Sequence, residues 1–220
     1  MPESPAIAPA PIKPKLRGVS HEIAAFVFPF FGLALFVIAD TTAVRWSVVV
    51  YTLGLTAMYT ASACYHRGHW SDPVRLRLRR LDHSMIIVAI AATYTGIAVG
   101  GLGHHTTVVL LTLAWSLAVV GVVVQLVWLH APRWLLALVY IALGWMAVAF
   151  APTLWRQLGV VTFVLLVLGG VVYSVGAVVY ATRRPDPSPA VFGFHEVFHA
   201  LVIVAGLIFY AAIARVIVAG

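Results

Sequence analysis

Residues 194–214, FHEVFHALVIVAGLIFYAAIA, join a polar beginning to a long apolar run. His195, Glu196 and His199 lie at the start, and apart from one tyrosine only apolar residues follow. A helix of this length measures about 32 Å, which is enough to cross the roughly 30 Å hydrocarbon core of a bilayer. In soluble enzymes the string His-Glu-x-x-His is typical of zinc metalloproteases, in which the histidines bind the metal and the glutamate activates water. The stretch therefore predicts a membrane helix with candidate metal ligands at its beginning.

The composition of the whole chain agrees with a membrane location. Of its 220 residues, 62% are hydrophobic and only 10% are Asp, Glu, Lys or Arg, against about 25% in a soluble domain. The mean hydropathy is +1.01, which is typical of polytopic membrane proteins. The net charge of +7 is then expected in loops that face the cytoplasm and anionic lipid, with no nucleic-acid partner. Cys64 is the single cysteine, so an internal disulfide is excluded.

Apolar segments of about 18–24 residues recur along the chain, and each is long enough to span a bilayer. They cover approximately residues 22–39, 46–66, 84–101, 107–129, 134–151, 158–181 and 194–214. The first exceeds the 7–15 apolar residues of a signal peptide, which favours a retained helix over a cleaved one. The sequence thus predicts an all-α integral membrane protein, a seven-transmembrane helix bundle. Residues 1–19 are expected to form a disordered, proline-rich cytoplasmic tail, and residues 20–220 the membrane domain.

The distribution of basic residues predicts the orientation of this bundle. With seven spans, the N-terminal tail and alternate loops share one side, which holds eleven of the Lys and Arg residues, while the other side holds three. Because positive loops stay in the cytoplasm, the N-terminus is expected inside and the C-terminus outside. We expect a multi-pass protein of the plasma membrane, with inner-leaflet anionic lipid as a partner of Arg75–Arg80.

Polar residues at membrane depth are costly, so each requires a reason. Ser62 and His66 lie four residues apart near the end of the second span, and Asp82 lies at the beginning of the third. His195 and His199 share one face of the seventh. In the predicted topology all five lie in the cytoplasmic third of the membrane.

Three imidazole nitrogens would leave a zinc ion one open position, as in catalytic sites. Iron and manganese are alternatives to zinc. His69 is an alternative to His66 as a ligand, but it follows a glycine and precedes Trp70, which favours the headgroup level. His83 adjoins Asp82 and is expected to point about 100° away from it around the helix. The remaining histidines are expected to be interfacial anchors: His21, His69, His104, His105 and His130.

These motifs resemble those of a known family. SACYH at 62–66, LRRLDHSMI at 78–86, AATYTG at 91–96 and HEVFHALV at 195–202 look like the hemolysin III family. That family belongs with the adiponectin and progestin receptors and the alkaline ceramidases. The resemblance covers about residues 20–215, and the motif set is specific because all of its parts occur in order.

The resemblance implies seven helices with the N-terminus inside and a zinc ion held by His66, His195 and His199. It implies that Asp82 is the acid that holds or activates the zinc-bound water. Ser62 matches the serine beside the site, a candidate for stabilising an oxyanion.

The first helix departs from the family pattern. Relatives are expected to carry an Asn and a His-Gly pair near its cytoplasmic end. Ala25 or Phe26, and Pro29 with Phe30, occupy that region here, although Glu22 is present. The role that this first-helix motif has in relatives is therefore not assigned to this chain.

The leading hypothesis is a zinc-dependent hydrolase of lipid amide or ester bonds, with Asp82 as general base and Ser62 and the metal stabilising the oxyanion. Glu196 is a weaker candidate base, because one residue along from His195 it points away from the metal face. An intramembrane metalloprotease typically needs an acidic ligand on a later helix, and no Asp or Glu follows Glu196. A third hypothesis is non-enzymatic: a membrane-perturbing, pore-forming (cytolytic) protein, or a receptor-like protein with structural zinc.

Overall fold

The computed structural model describes residues 13–127 and 133–219, and over these residues the protein is helical. Its helices are α1 (Val19–Ile38), α2 (Thr42–Arg67), α3 (Asp72–Gly101), α4 (His104–Val127), α5 (Arg133–Trp145), a 3₁₀ helix (Met146–Phe150), α6 (Ala151–Thr182) and α7 (Phe194–Ala219). Residues 1–12 of the predicted tail and the predicted loop around His130 lie outside the described residues. The all-α fold predicted from the sequence is confirmed for the described part of the chain.

Six helical stretches are long and apolar enough to cross a membrane in the described ranges. Five of them are α1, α2, α3, α4 and α7, and the sixth is the continuous stretch Leu138–Thr182. The predicted fifth and sixth spans both fall within that last stretch. The number of separate crossings therefore stays a prediction at this point.

The chain reverses direction at Gly159, inside α6. Gly159 has φ 75° and ψ 165°, which interrupts the helical backbone. Trp145 precedes Gly159 in the chain and Ser174 follows it, and Trp145 Nε1 donates a hydrogen bond of 2.8 Å to Ser174 Oγ. These residues lie almost equally far from Gly159 along the chain, as expected of two antiparallel arms. The arm of α5, the 3₁₀ helix and the start of α6 therefore packs beside the rest of α6.

Helix α3 begins at Asp72, well before the apolar span predicted at 84–101. Pro73 lies in the first turn, where its fixed φ favours helix initiation and its missing N–H costs nothing. The arginines that follow have good helix propensity. Hydropathy marks only the part of a helix that lies in hydrocarbon, so it could not detect this polar first portion.

The largest apolar core lies between α1, α2, α3 and α7. Tyr51, Leu55 and Tyr59 of α2 are fully buried there, beside Phe28 of α1 and Ile213 of α7. The antiparallel course of these helices brings the beginnings of α1, α3 and α7 to the same end of the bundle as the end of α2. The polar residues singled out in the sequence lie at that end.

Substituting Gly159 tests the reversal. Its backbone conformation is essentially restricted to glycine, and a non-glycine residue there costs about 1–3 kcal/mol. Because a Cβ at Gly159 would meet no neighbouring atom within 4 Å, Gly159→Ala should lower the thermal unfolding temperature through backbone strain alone. A Cβ at Gly144 would also meet no atom within 4 Å, but Gly144 lies in α5 with helical backbone. Gly144→Ala is therefore the matched control. An unchanged unfolding temperature in Gly159→Ala would contradict the reversal.

Candidate metal centre

Three histidine side chains from two helices converge at this end of the bundle. His66 lies in the last turn of α2, and His195 and His199 lie one turn apart at the beginning of α7. One ring nitrogen of each lies within 4.8 Å of those of the other two. The Nε2 atoms of His66 and His195 are 3.0 Å apart. The structure thus brings together the three residues that the sequence predicts as ligands.

The donor set and its spacing fit a metal ion. With Zn–N bonds of 2.0–2.1 Å, two nitrogens in a tetrahedral site lie about 3.3 Å apart, which is close to the observed separation. His199 and His66 are 1% and 8% exposed, and His195 is half-buried, so bulk water is largely excluded. Imidazole suits zinc, copper, iron and nickel. The three histidines could therefore hold one divalent ion and leave a position open.

Asp82 and Ser62 border this cluster. Asp82 Oδ2 lies 3.7 Å from His66 Nε2, and Ser62 Oγ lies 3.5 Å from His199 Nε2. Both side chains are buried, and the Ser62 side chain interacts with the Asp82 carboxyl. A carboxyl and a hydroxyl therefore lie beside the three converging nitrogens. All five site residues predicted from the sequence meet in one place.

Glu196 binds groups at the N-terminus of α7 and is not one of the three clustered residues. Its Oε2 accepts a 2.8 Å hydrogen bond from the backbone N–H of Gly193, as the glutamate of a capping box does. Its Oε1 lies 2.5 Å from Arg17 Nε, and the side chain is 2% exposed. Asp186 Oδ1 accepts from the next N–H, that of Phe194. The glutamate of the His-Glu-x-x-His string thus caps the N-terminus of α7.

The residues before α1 cover the same end of the bundle. The N–H groups of Lys15 and Leu16 donate to the carbonyls of Ala190 and Val191, at 3.0 and 3.1 Å. Lys13 Nζ donates to the Arg67 carbonyl at the end of α2. We call residues 13–18 the strap. Through these bonds and Arg17, the strap joins α2 to the segment that precedes α7.

His21 is the polar residue of this region that sequence reasoning missed. It was expected to be an interfacial anchor, but it is 3% exposed, and its ring stacks on that of His199 with centroids 3.8 Å apart. The expectation was wrong because a lone histidine next to a polar tail resembles an anchor. A signal was present: His21 shares one face of α1 with the buried residues Phe28, Gly32 and Leu35. His69, His104 and His105 are exposed, and their role as interfacial anchors stays a prediction.

An elongated cavity of about 130 Å³ opens from the cluster into the bundle. Its polar end is formed by Ser62, Asp82, His195 and His199, together with His21 and His83. Its remaining walls are largely apolar and reach Leu110 and Leu154. The cavity therefore has polar residues at the histidines and largely apolar walls beyond them.

Removing a histidine should remove the metal. We expect His195→Ala and His199→Ala to purify with at least roughly tenfold less bound metal, since losing even an indirect partner of a ligand costs 10–100-fold in affinity. Elemental analysis by mass spectrometry of purified protein measures this. His69→Ala, in an exposed histidine one turn from His66, should retain wild-type content. Full occupancy in a His66/His195/His199 triple variant would refute the assignment.

The chain is similar to bacterial proteins over most of its length. The family model described as "Haemolysin-III related" matches residues 10–210. The chain is 30% identical over 189 residues to the hemolysin-3 homolog of Bacillus subtilis (strain 168), covering 84% of this chain and 83% of that protein. It is 30% identical over 135 residues to hemolysin-3 of Bacillus cereus, covering 61% of each. These matches and the membrane helices agree with the resemblance seen in the motifs, and the chain belongs to the hemolysin III family.

Proposed function

We propose that this protein is a seven-span, zinc-dependent hydrolase of amide or ester bonds in lipids, located in the plasma membrane. The observation that carries the proposal is the placement of Asp82 and Ser62 beside three converging imidazoles at the polar end of an apolar cavity. An acyl chain fits the apolar walls, and its carbonyl group would then lie at the polar end. A substrate of this kind can enter sideways from the bilayer between helices.

The reversal at Gly159 supports seven crossings. As one straight helix, Leu138–Thr182 would measure about 68 Å, more than twice the thickness of the hydrocarbon core. Two antiparallel arms, from Arg133 to Leu158 and from Val160 to Thr182, each have a suitable length. With seven crossings, the excess of basic residues lies on the side of the N-terminus, and this side is the cytoplasm.

Reporter fusions test the orientation. A fluorescent protein that matures only in the cytoplasm should fluoresce when fused before residue 1 and stay dark when fused after residue 220. Alkaline phosphatase, which is active only outside, should give the opposite pattern. Fluorescence of both fusions would imply an even number of crossings, and a dark N-terminal fusion would overturn the proposed sidedness of the site.

The chemistry of the site is divided among a few residues. A divalent ion held by the three imidazoles would supply Lewis-acid polarisation and an acidified water. Asp82 is placed to accept the proton of that water, a role worth about 10²–10⁴ in rate. The Ser62 hydroxyl is placed to donate a hydrogen bond to the oxyanion that develops on the substrate carbonyl, a role worth about 10²–10³. The buried surroundings strengthen both interactions.

The beginning of α3 is proposed to rest on anionic lipid. Arg75, Arg77 and Arg79 are exposed along this portion, and Arg80 is partly buried. Exposed Val74 and Leu76 alternate with them. Basic side chains at the inner leaflet gain about 1 kcal/mol each from its negative surface potential. This contact would set the depth of Asp82 in the membrane.

Asp82 and Glu196 should differ sharply in their effect on turnover. We expect Asp82→Asn to reduce the release of free fatty acid from mixed lipids by about 10²–10⁴, because the general base is lost. Glu196→Gln keeps an oxygen for the helix cap and should reduce turnover much less. Mass spectrometry of lipids incubated with purified, zinc-loaded protein measures both. A larger loss in Glu196→Gln would restore the protease-like role of the motif.

A membrane-perturbing activity is the second candidate, and the names of the two Bacillus relatives favour it. Dye release from liposomes separates it from hydrolysis. Leakage that persists in Asp82→Asn, without release of fatty acid by the wild type, would favour perturbation over enzyme action. Fatty acid release that is lost in Asp82→Asn would favour the hydrolase.

A further inference from the structure

The His199 ring lacks the support that metal-binding histidines usually have. A ligating histidine normally donates its second ring nitrogen to a carboxylate, carbonyl or water, which fixes the ring orientation. Nδ1 of His199 is buried, and no residue in the described part of the chain hydrogen-bonds to it. Its Nε2 faces Ser62. Something other than a hydrogen bond must therefore hold this ring in place.

The neighbouring aromatic ring is that of His21, and the two lie face to face. Their centroids are 3.8 Å apart, and their planes are inclined by only 8°. Within residues 13–127 and 133–219, no group meets either His21 nitrogen in full hydrogen-bonding geometry, and the His199 backbone approaches the ring only as a weak hydrogen-bond partner. The side chain thus meets His199 through the face of its ring.

His21 is itself held on its other side. Tyr59 of α2 packs edge-on against it, with centroids 5.1 Å apart, and Phe28 packs edge-on against Tyr59. His66 and His195 approach His199 with their edges, at 5.1 and 4.6 Å. Rotation of the His199 ring about its Cβ–Cγ bond would drive it into the stacked ring of His21.

We propose that His21 is a positioning residue that fixes the orientation of the His199 ring by stacking, in place of the usual hydrogen bond. The inference rests on the proposed metal centre and adds a fourth helix, α1, to it. In this role the flat aromatic face matters, and the ring nitrogens do not. Phenylalanine should therefore replace His21, whereas a side chain without an aromatic face should not.

Cobalt titration of the metal-free protein tests this. Co²⁺ reports both affinity and, through its visible absorption, the geometry of its ligands. We expect His21→Phe to bind Co²⁺ within about twofold of the wild type and to keep its spectrum. We expect His21→Leu and His21→Ala to bind roughly 10–100-fold more weakly, the range seen when the support of a ligand is lost, with an altered spectrum. Leucine retains most of the volume of the histidine side chain. His21→Leu can therefore test the role of the ring even if His21→Ala impairs folding.

The remaining variants distinguish the alternatives. His21→Gln keeps hydrogen-bonding capacity without an aromatic face, so wild-type binding in His21→Gln together with loss in His21→Phe would overturn stacking as the cause. Wild-type affinity and spectrum in His21→Leu would overturn any positioning role. Thermal unfolding of each metal-free variant controls for folding, and His69→Ala controls for the exposed histidines. Equal Co²⁺ binding by the wild type and His66→Ala would show instead that the proposed metal centre is wrong, and His21 would then have no ligand to position.

Discussion

Polar groups inside a membrane bundle must find partners among the protein's own atoms, because hydrocarbon offers none. At the ends of α1, α2, α3 and α7 most polar side chains meet this constraint by contacting one another, and the exceptions in the described part of the chain include His199 Nδ1 and both nitrogens of His21. The His66 and His195 nitrogens face one another, with Asp82 beside His66. Glu196 is matched by a backbone N–H and by Arg17. The apolar helices α4, α5 and α6 contribute walls to the cavity that extends from this polar end.

Much of this site could be predicted from the sequence because spacing and depth are encoded locally. The four-residue interval places His195 and His199 on one face of a helix whatever its neighbours are. The alternation of spans then puts His66 and Asp82 at the same depth as that pair. Equal depth in the membrane does not show, however, that two side chains lie close together. The contact across α2, α3 and α7 depends on how the helices pack, which no local pattern contains.

The features that were missed depend on tertiary structure. The role of Glu196 follows from where α7 begins, and that point is fixed by Gly193 and the segment before it. The burial of His21 depends on α1 packing against α2 and α7. The reversal at Gly159 lies within an almost continuous apolar stretch, so hydropathy misplaced the boundary between two arms. The family motif indicated three histidines that do converge in the structure, and its glutamate accepts a hydrogen bond at the beginning of α7.

The strap has a consequence for the exchange of ions. It closes over the bundle end that holds the three histidines, and Gly18, at φ 80°, sits directly against His66. Arg17 and Glu196 would have to separate before this cover could lift, and separating a buried pair leaves an uncompensated charge. An ion held by the histidines would thus enter and leave at this end of the bundle slowly, at the rate at which the strap detaches.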